Sequence, residues 1–347
     1  MHHPFKARSL IRMIAVASAI ALAAAAVPAA QASAAQTAPK SPYTAITSPR
    51  VSPAAAAKTR AASLAYWTPQ RLKNAKSGDL LAPKAQTPSA ARATVAQPAA
   101  TSVHTVAPVE GKYRAHKASA AAGGASPDLG TVYVTPAIGK VFFSVGGSDY
   151  ACSGSSVNSS SGELVLTAGH CVYSVSLQSW VSNFVYIPAY ANGNAPYGTW
   201  SGVEMATFSG FISGGDDTLD TGYVAVSGPS NLVATVGGMG FESGYTSFSD
   251  PLFTMGYPSA SPENQAWCDA TATIDTSDGL VFLPCSQGPG ASGSPILDQY
   301  DTTSGLGIDA SDLTLIWSYS DGSTANSGPV FTDTQWNEYL SMGSVDV

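Results

Sequence analysis

The chemistry-bearing residues of this chain reduce to a few positions. Of five histidines, at 2, 3, 104, 116 and 170, only His170 lies beyond residue 125, in the stretch Leu166-Thr167-Ala168-Gly169-His170-Cys171. A neutral imidazole at the end of a strand can take a proton from a hydroxyl and return it to a leaving group. A candidate hydroxyl is Ser292, in Gly288-Pro289-Gly290-Ala291-Ser292-Gly293-Ser294-Pro295. Glycines on both sides of a serine permit a tight turn whose N–H groups point outward, where they can stabilise an oxyanion while the hydroxyl attacks a carbonyl. The third element is Asp220, which leads into Thr221-Gly222-Tyr223-Val224-Ala225-Val226. A buried carboxylate there would hold the imidazole in one tautomer and offset its charge. Asp216 and Asp217 are rivals, but they sit in a looser Gly-Asp turn, and the strand register favours Asp220.

The elements that must position these residues are β-strands. From about Thr131 onward, short apolar runs alternate with Gly, Ser, Asn and Asp clusters: Lys140–Val145, Glu163–Leu166, Tyr223–Val226, Thr271–Ile274, Leu280–Leu283 and Leu313–Trp317. Such a pattern predicts an all-β sandwich or barrel, and its extent suits two packed barrels better than one. One late helix is expected, capped by Asp333 or Thr334, with Trp336, Tyr339 and Leu340 on one face. Four cysteines in an exported chain should be paired. Of three possible connectivities, Cys152–Cys171 and Cys268–Cys285 close short loops within single β segments, worth about 3 kcal/mol each. No C-x-x-C spacing occurs, so neither a metal site nor a redox site is expected.

Taken in order, T-A-G-H-C, D-x-G-x-V-x-V and G-x-S-G-S-P, at spacings of 50 and 72 residues, resemble the motifs of chymotrypsin-like serine peptidases. The likeness is to secreted bacterial trypsin-like and glutamyl-endopeptidase-like enzymes of actinobacterial type, and covers about residues 138–342. It includes a Cys shortly before the nucleophile loop and a Y-W-T-P element, Tyr66–Pro69, in the pro-region. The resemblance implies two six-stranded β-barrels (about 138–238 and 239–342) with a short C-terminal helix. His170 and Asp220 would come from the first barrel and Ser292 from the second, with Gly290 and Ser292 supplying the oxyanion hole. Ser318, Tyr319 and Ser320 would form the substrate-binding edge strand, and Ser286 with Gln287 would stand at the specificity pocket. Where trypsins carry Asp at the pocket base this chain has the neutral Ser286, which implies an uncharged P1 side chain. No His follows His170, so the pocket histidine of glutamate-specific members has no counterpart. Ala291 replaces the Asp that in animal trypsins pairs with the new N-terminus, so latency must come from a pro-segment. The implied activity is a secreted serine endopeptidase that uses no cofactor. A binding module built on an inactive peptidase fold, or an esterase with the same triad, are the competing classes.

Charge divides the chain. Residues 1–125 hold 15 of the 16 Lys+Arg with only Asp79 and Glu110 as acids, a net of +13, whereas Lys140 alone faces 21 acids beyond them, a net of −20. The acidic balance argues against a phosphate-driven nucleic-acid binder. Lys6, Arg8 and Arg12, the uncharged residues 13–30 and Ala30-Gln31-Ala32 read as a signal peptide spanning 1–32, so no membrane association is expected after cleavage. Residues 33–122, rich in Ala, Pro, Ser and Thr, carry 12 Lys+Arg against two acids and are expected to be poorly ordered, followed by the peptidase domain at 123–347. One stretch differs: Thr68 can cap a short helix with Pro69 at its first position, and Trp67 needs a partner surface. The segment is therefore expected to dock on the acidic domain and to act as an intramolecular inhibitor. The expected partners are a protein or peptide substrate and this segment, on a monomeric chain.

Overall fold

The structure, a computed structural model, describes residues 41–83, 100–117, 133–275, 277–319 and 324–347. The expected signal peptide and its cleavage site lie outside them.

The first half of the domain closes into a barrel. Six strands follow one another around it: Trp200–Phe208, Ser182–Pro188, Ile138–Val145, Ser148–Val157, Leu164–Ala168 and Thr221–Ser227, the last pairing back onto the first, all antiparallel. The hairpin between Ile138–Val145 and Ser148–Val157 turns on Gly146 and Gly147, at φ +58° and +76°. Two consecutive left-handed residues make the two-residue turn whose twist matches the strands, which glycine adopts without strain. Val141 and Phe143 share a sheet face with Val165 and Val224 in the barrel core. Phe142 faces out, yet it too is fully buried. The continuous apolar run around it thus has a cover on its outer face, to which Trp67 of the N-terminal segment and Tyr190 and Tyr257 contribute.

The second half is built of two further sheets. Ala266–Ala270, Leu252–Gly256, Pro295–Asp301, Leu306–Asp312 and Gly240–Ser243 run side by side, with His104–Val106 at the far edge. Thr273–Asp275, Leu280–Leu283, Thr324–Pro329 and Leu315–Ser318 make the other sheet. Leu252 and Ile296 of the first sheet share a core with Val281 and Leu283 of the second. Both disulfides are as expected, Cys152–Cys171 and Cys268–Cys285. The late helix spans Asp333–Gly343, but its cap is Thr332. The Thr332 hydroxyl accepts the Thr334 N–H while Gln335 reaches back to the Thr332 N–H, a reciprocal pair that neither Asp333 nor Thr334 could make one position later. Its buried face is Gln335, Glu338, Tyr339 and Met342, and Leu340 is half exposed, so the face lies one step round from the expected one.

Within the segment expected to be poorly ordered, residues 41–83 and 100–117 form defined elements against the domain. Ala45–Thr47 extends the barrel sheet beside Trp200–Phe208, Lys76–Ser77 pairs in parallel with Tyr150 and Ala151, and His104–Val106 pairs with Gly240–Ser243. The helix Pro69–Asn74 starts as expected, with the Thr68 hydroxyl accepting the Arg71 N–H. Trp67 is buried against Phe142, ring centroids 5.4 Å apart, and its indole N–H donates to the Asn183 carbonyl at 2.7 Å.

Candidate functional site

The strand Leu164–Ala168 ends in a single 3₁₀ turn, Gly169–Cys171, which presents His170; the disulfide to Cys152 ties the next residue to the neighbouring strand. The antiparallel register Ala168↔Thr221 and Thr167↔Gly222 brings Asp220 alongside. Its Oδ1 accepts the His170 backbone N–H at 2.7 Å and its Oδ2 lies 2.8 Å from His170 Nδ1. Only an acceptor faces Nδ1, so that nitrogen carries the proton and Nε2 is left with its lone pair. Nε2 is buried without a hydrogen-bond partner. A Cβ on Gly169 would stand 2.8 Å from Asp220 Oδ1, so the close approach of carboxylate to turn requires glycine. The rival acids are placed otherwise. Asp216 caps the turn Asp217–Leu219, accepting from the Thr218 N–H and hydroxyl, and Asp217 is buried inside that turn.

The nucleophile loop is locked against the His-bearing strand. Gly293, at φ +80°, leaves no room for a side chain: a Cβ would lie 2.2 Å from Thr167 Oγ1 and 2.4 Å from the Ser153 carbonyl. The Ser292 carbonyl accepts the Ser153 N–H at 2.7 Å, and the Gly293 N–H donates to the Leu313 carbonyl at 2.7 Å. Thr167 Oγ1 donates to the Ser153 carbonyl at 2.7 Å, so Ser153 joins the histidine strand to the serine loop. The Ser292 hydroxyl and the Gly290 N–H converge on one group, the carboxylate of Asp79: Gly290 N–H donates to Oδ2 at 2.6 Å and Ser292 Oγ donates to Oδ1. A hydroxyl and an N–H aimed at a common anion are the arrangement an attacking oxygen and an oxyanion donor require.

The site's charge follows from burial and neighbours. Burial opposes the His170 imidazolium, but the Asp220 carboxylate, which also hydrogen-bonds it, and the charges of Asp79 and Asp217 outweigh this, so its pKa stands above the ordinary value. Beyond Asp220, the Thr221 hydroxyl donates at 2.8 Å to Asp312, a buried carboxyl whose pKa lies well above the usual range, chiefly through burial.

Of the expected pocket residues, Ser286 is half-buried directly after Cys285, while Gln287 is buried and its groups bond inward: N–H to Asn326 Oδ1 at 2.8 Å and Nε2 to the Ala266 carbonyl at 3.3 Å. Ser318 and Tyr319 are exposed at the end of Leu315–Ser318, an edge strand with one partner among the described residues. Ser320 lies outside them. Sequence reasoning overlooked Asp79, Ser153 and Thr167. Asp79 carried one signal, being one of two acids in a basic segment; the other two are ordinary strand residues until the barrel closes.

No family model matches the chain. Its structure is similar to that of the protease Anisep from Arthrobacter nicotinovorans, with a TM-score of 0.55 and 30% sequence identity over 61% of this chain and 97% of that one. It is similar also to the thermostable serine protease AL20 from an extremophilic microorganism, at a TM-score of 0.52 and 27% identity over 61% and 99% of the two chains. An extracellular metalloprotease of Bacillus subtilis (strain 168) is 32% identical over 162 residues, 45% of this chain and 49% of that protein, so the chain spans about half the length of this curated relative. The metal in that protein's name finds no donor set in the one His/Cys/Asp/Glu cluster close enough to hold an ion among the described residues. It consists of Cys152, His170 and Cys171, with both sulfurs spent in a disulfide and Nδ1 facing Asp220. With a closed antiparallel barrel, the histidine and serine loops interlocked through Ser153, and near-complete coverage of Anisep at 30% identity, the chain belongs to the chymotrypsin-fold serine proteases.

Proposed function

We propose that this protein is a secreted endopeptidase that cleaves peptide bonds through an acyl-enzyme on Ser292, with His170 as general base and acid and Asp220 as its orienting carboxylate. The observation that carries the reading is the convergence of Ser292 Oγ and the Gly290 N–H on one carboxylate, while His170 Nε2 is buried with no hydrogen-bond partner. In the reaction the Ser292 oxygen bonds to the substrate carbonyl carbon and its proton passes to Nε2. The carbonyl oxygen, now negative, takes the hydrogen bond of the Gly290 N–H, with the Ser292 N–H as second donor. The imidazolium, stabilised by Asp220, gives the proton to the departing amine as the C–N bond breaks. Water then attacks the ester, passes a proton to Nε2, and Ser292 leaves as its hydroxyl. The edge strand ending at Ser318 and Tyr319 would pair with the substrate backbone, and the neutral Ser286 fits an uncharged P1 side chain. Export is supported by the leader-like sequence, the two disulfides and the extracellular relative, and on this reading the active form is a monomeric domain beginning near residue 123.

The test is labelling by a fluorophosphonate and cleavage of casein by the processed protein. Ser292→Ala is expected to abolish both, with His170→Ala close behind, a loss of about 10⁶ in rate because triad members act as a unit. Labelling without casein cleavage would leave an esterase, and no labelling would leave a binding module.

A further inference from the structure

Asp79 belongs to the pro-segment, 213 residues from Ser292 in sequence, yet its carboxylate touches both groups that catalysis needs. Everything around it serves its placement. Upstream, Trp67 is buried on Phe142, the Tyr66 hydroxyl donates to Asp149 Oδ1 at 2.7 Å, and Arg71 reaches Asp149 Oδ2 at 2.7 Å. The chain then pairs Lys76 and Ser77 with Tyr150 and Ala151 at the sheet edge leading to Cys152. At Gly78 it passes so near the disulfide that a Cβ would lie 2.3 Å from Cys152 Sγ. Ser77 caps the turn Gly78–Leu80, accepting the Asp79 N–H at 3.3 Å, and downstream Leu81 is buried with the barrel core. Asp79 is thus gripped from both sides and aimed by a glycine that permits the approach.

We propose that the Asp79 side-chain carboxylate is the inhibitory group of the unprocessed chain, binding the nucleophile loop as the carboxylate of a cleaved product would. One oxygen occupies the oxyanion donor at Gly290. The other takes the Ser292 hydroxyl proton in a hydrogen bond, so that His170 Nε2 is left facing no donor. The nucleophile is turned from its base and the hole is filled, without any covalent change. The chain is thus held latent by a carboxylate brought from outside the domain. The proposal rests on Ser292 being the nucleophile.

The experiment is the rate of fluorophosphonate labelling of the full secreted chain, read by intact mass spectrometry so that only molecules retaining the segment are counted. Asp79→Asn keeps the shape but removes the charge from two hydrogen bonds, and is expected to label at least about tenfold faster than wild type. Gly78→Val, which keeps Asp79 but forces the turn off the disulfide, should accelerate labelling likewise. Circular dichroism of each variant verifies the fold. Equal, measurable labelling of wild type and Asp79→Asn would overturn the role of Asp79 while leaving the nucleophile in place. So would silence of both chains when the processed protein labels readily. Silence of the processed protein as well would overturn the peptidase reading itself, and this inference with it.

Discussion

His170 is poised by one carboxylate that does two things, accepting the backbone N–H of the turn and the ring Nδ1–H. An amide at position 220 would offer an N–H to one of these donors, so Asp220→Asn should favour the wrong tautomer and lower kcat by about 10⁴ with the fold retained. Asp216→Asn removes only a turn cap, a stability cost of about 1 kcal/mol at most, and should leave kcat/KM close to wild type. Rates of both variants on one peptide substrate decide between the two acids. The raised pKa of His170 fixes the acid limb of activity. As pH falls the imidazole protonates, and it does so at a pH above the ordinary histidine value, so the general base is lost early. The processed enzyme loses Asp79 but keeps Asp220 and Asp217, so its kcat/KM should still fall toward acid pH with a limb above the ordinary histidine value; an acid optimum would contradict the electrostatics of the site.

At the scale of elements, the N-terminal segment read as a pro-segment holds the domain by pairing and apolar burial more than by its charge. Among the described residues its arginines reach the domain's acids at two places, Arg71 to Asp149 and Arg50 to Glu204 at 3.6 Å, both with the arginine largely exposed. Such pairs are weak and salt-screened. Trp67, in contrast, fills a pocket lined by Phe142 and Ala151, with its indole N–H satisfied. We expect Trp67→Ala to lower the urea stability of the full Ser292→Ala chain by about 3 kcal/mol. Molar salt should change it much less. The basic segment, with 12 Lys+Arg against two acids, and the −20 domain would then govern encounter, while the aromatic anchor governs residence. A strong salt dependence with an unaffected Trp67→Ala chain would reverse that ranking.

The whole molecule buries several acids without cationic partners. Glu163 and Glu338 are pushed up to about 7 and Glu242 to about 8, and Asp309 stands well above the usual range. Burial is the first cause in each, with a like charge second for Glu242 and Glu338, while for Asp309 the Ser155 hydrogen bond pulls the other way and the Glu242 charge adds a smaller push. The leading cause is thus desolvation in the packed interior, and the net charge of the domain is secondary. A carboxyl whose folded pKa is raised binds protons more tightly in the folded state, so its penalty is absent at low pH and grows as pH rises through the folded value. Lys140, the domain's lone Lys or Arg, works the other way at higher pH: burial lowers it to about 8, so its penalty is relieved as pH rises above that value. The urea midpoint of the Ser292→Ala protein should therefore be higher at pH 5 than at pH 8, and Glu242→Gln should flatten the difference. A midpoint lower at pH 5 would mean that acceptor contacts, not burial, dominate these carboxyls.

Local chemistry made the strands, the disulfide pairs, the helix cap at Thr68 and the motif residues legible from sequence, because each depends on neighbours within a few positions. The glycines of Gly-x-Ser-Gly, the alternation leading out of Asp220 and the small residues before His170 announce their conformations without reference to the rest of the chain. Contacts between distant segments carry no such mark. Thr332 displaced Asp333 as the helix cap because Gln335 returned its bond, and Leu340 lost its place on the buried face because the helix rotated to bury Gln335 and Glu338. The Ser153 junction exists only once the barrel brings three loops together. Above all, Asp79 is an unremarkable acid in a basic tail until the pairing of Lys76–Ser77 and the burial of Trp67 carry it to Ser292. The type and spacing of residues state what chemistry is available. Only the closed fold decides which carboxylate faces the histidine and which one occupies the serine, because that choice is made by approach distances between residues 50 and 213 positions apart in the chain.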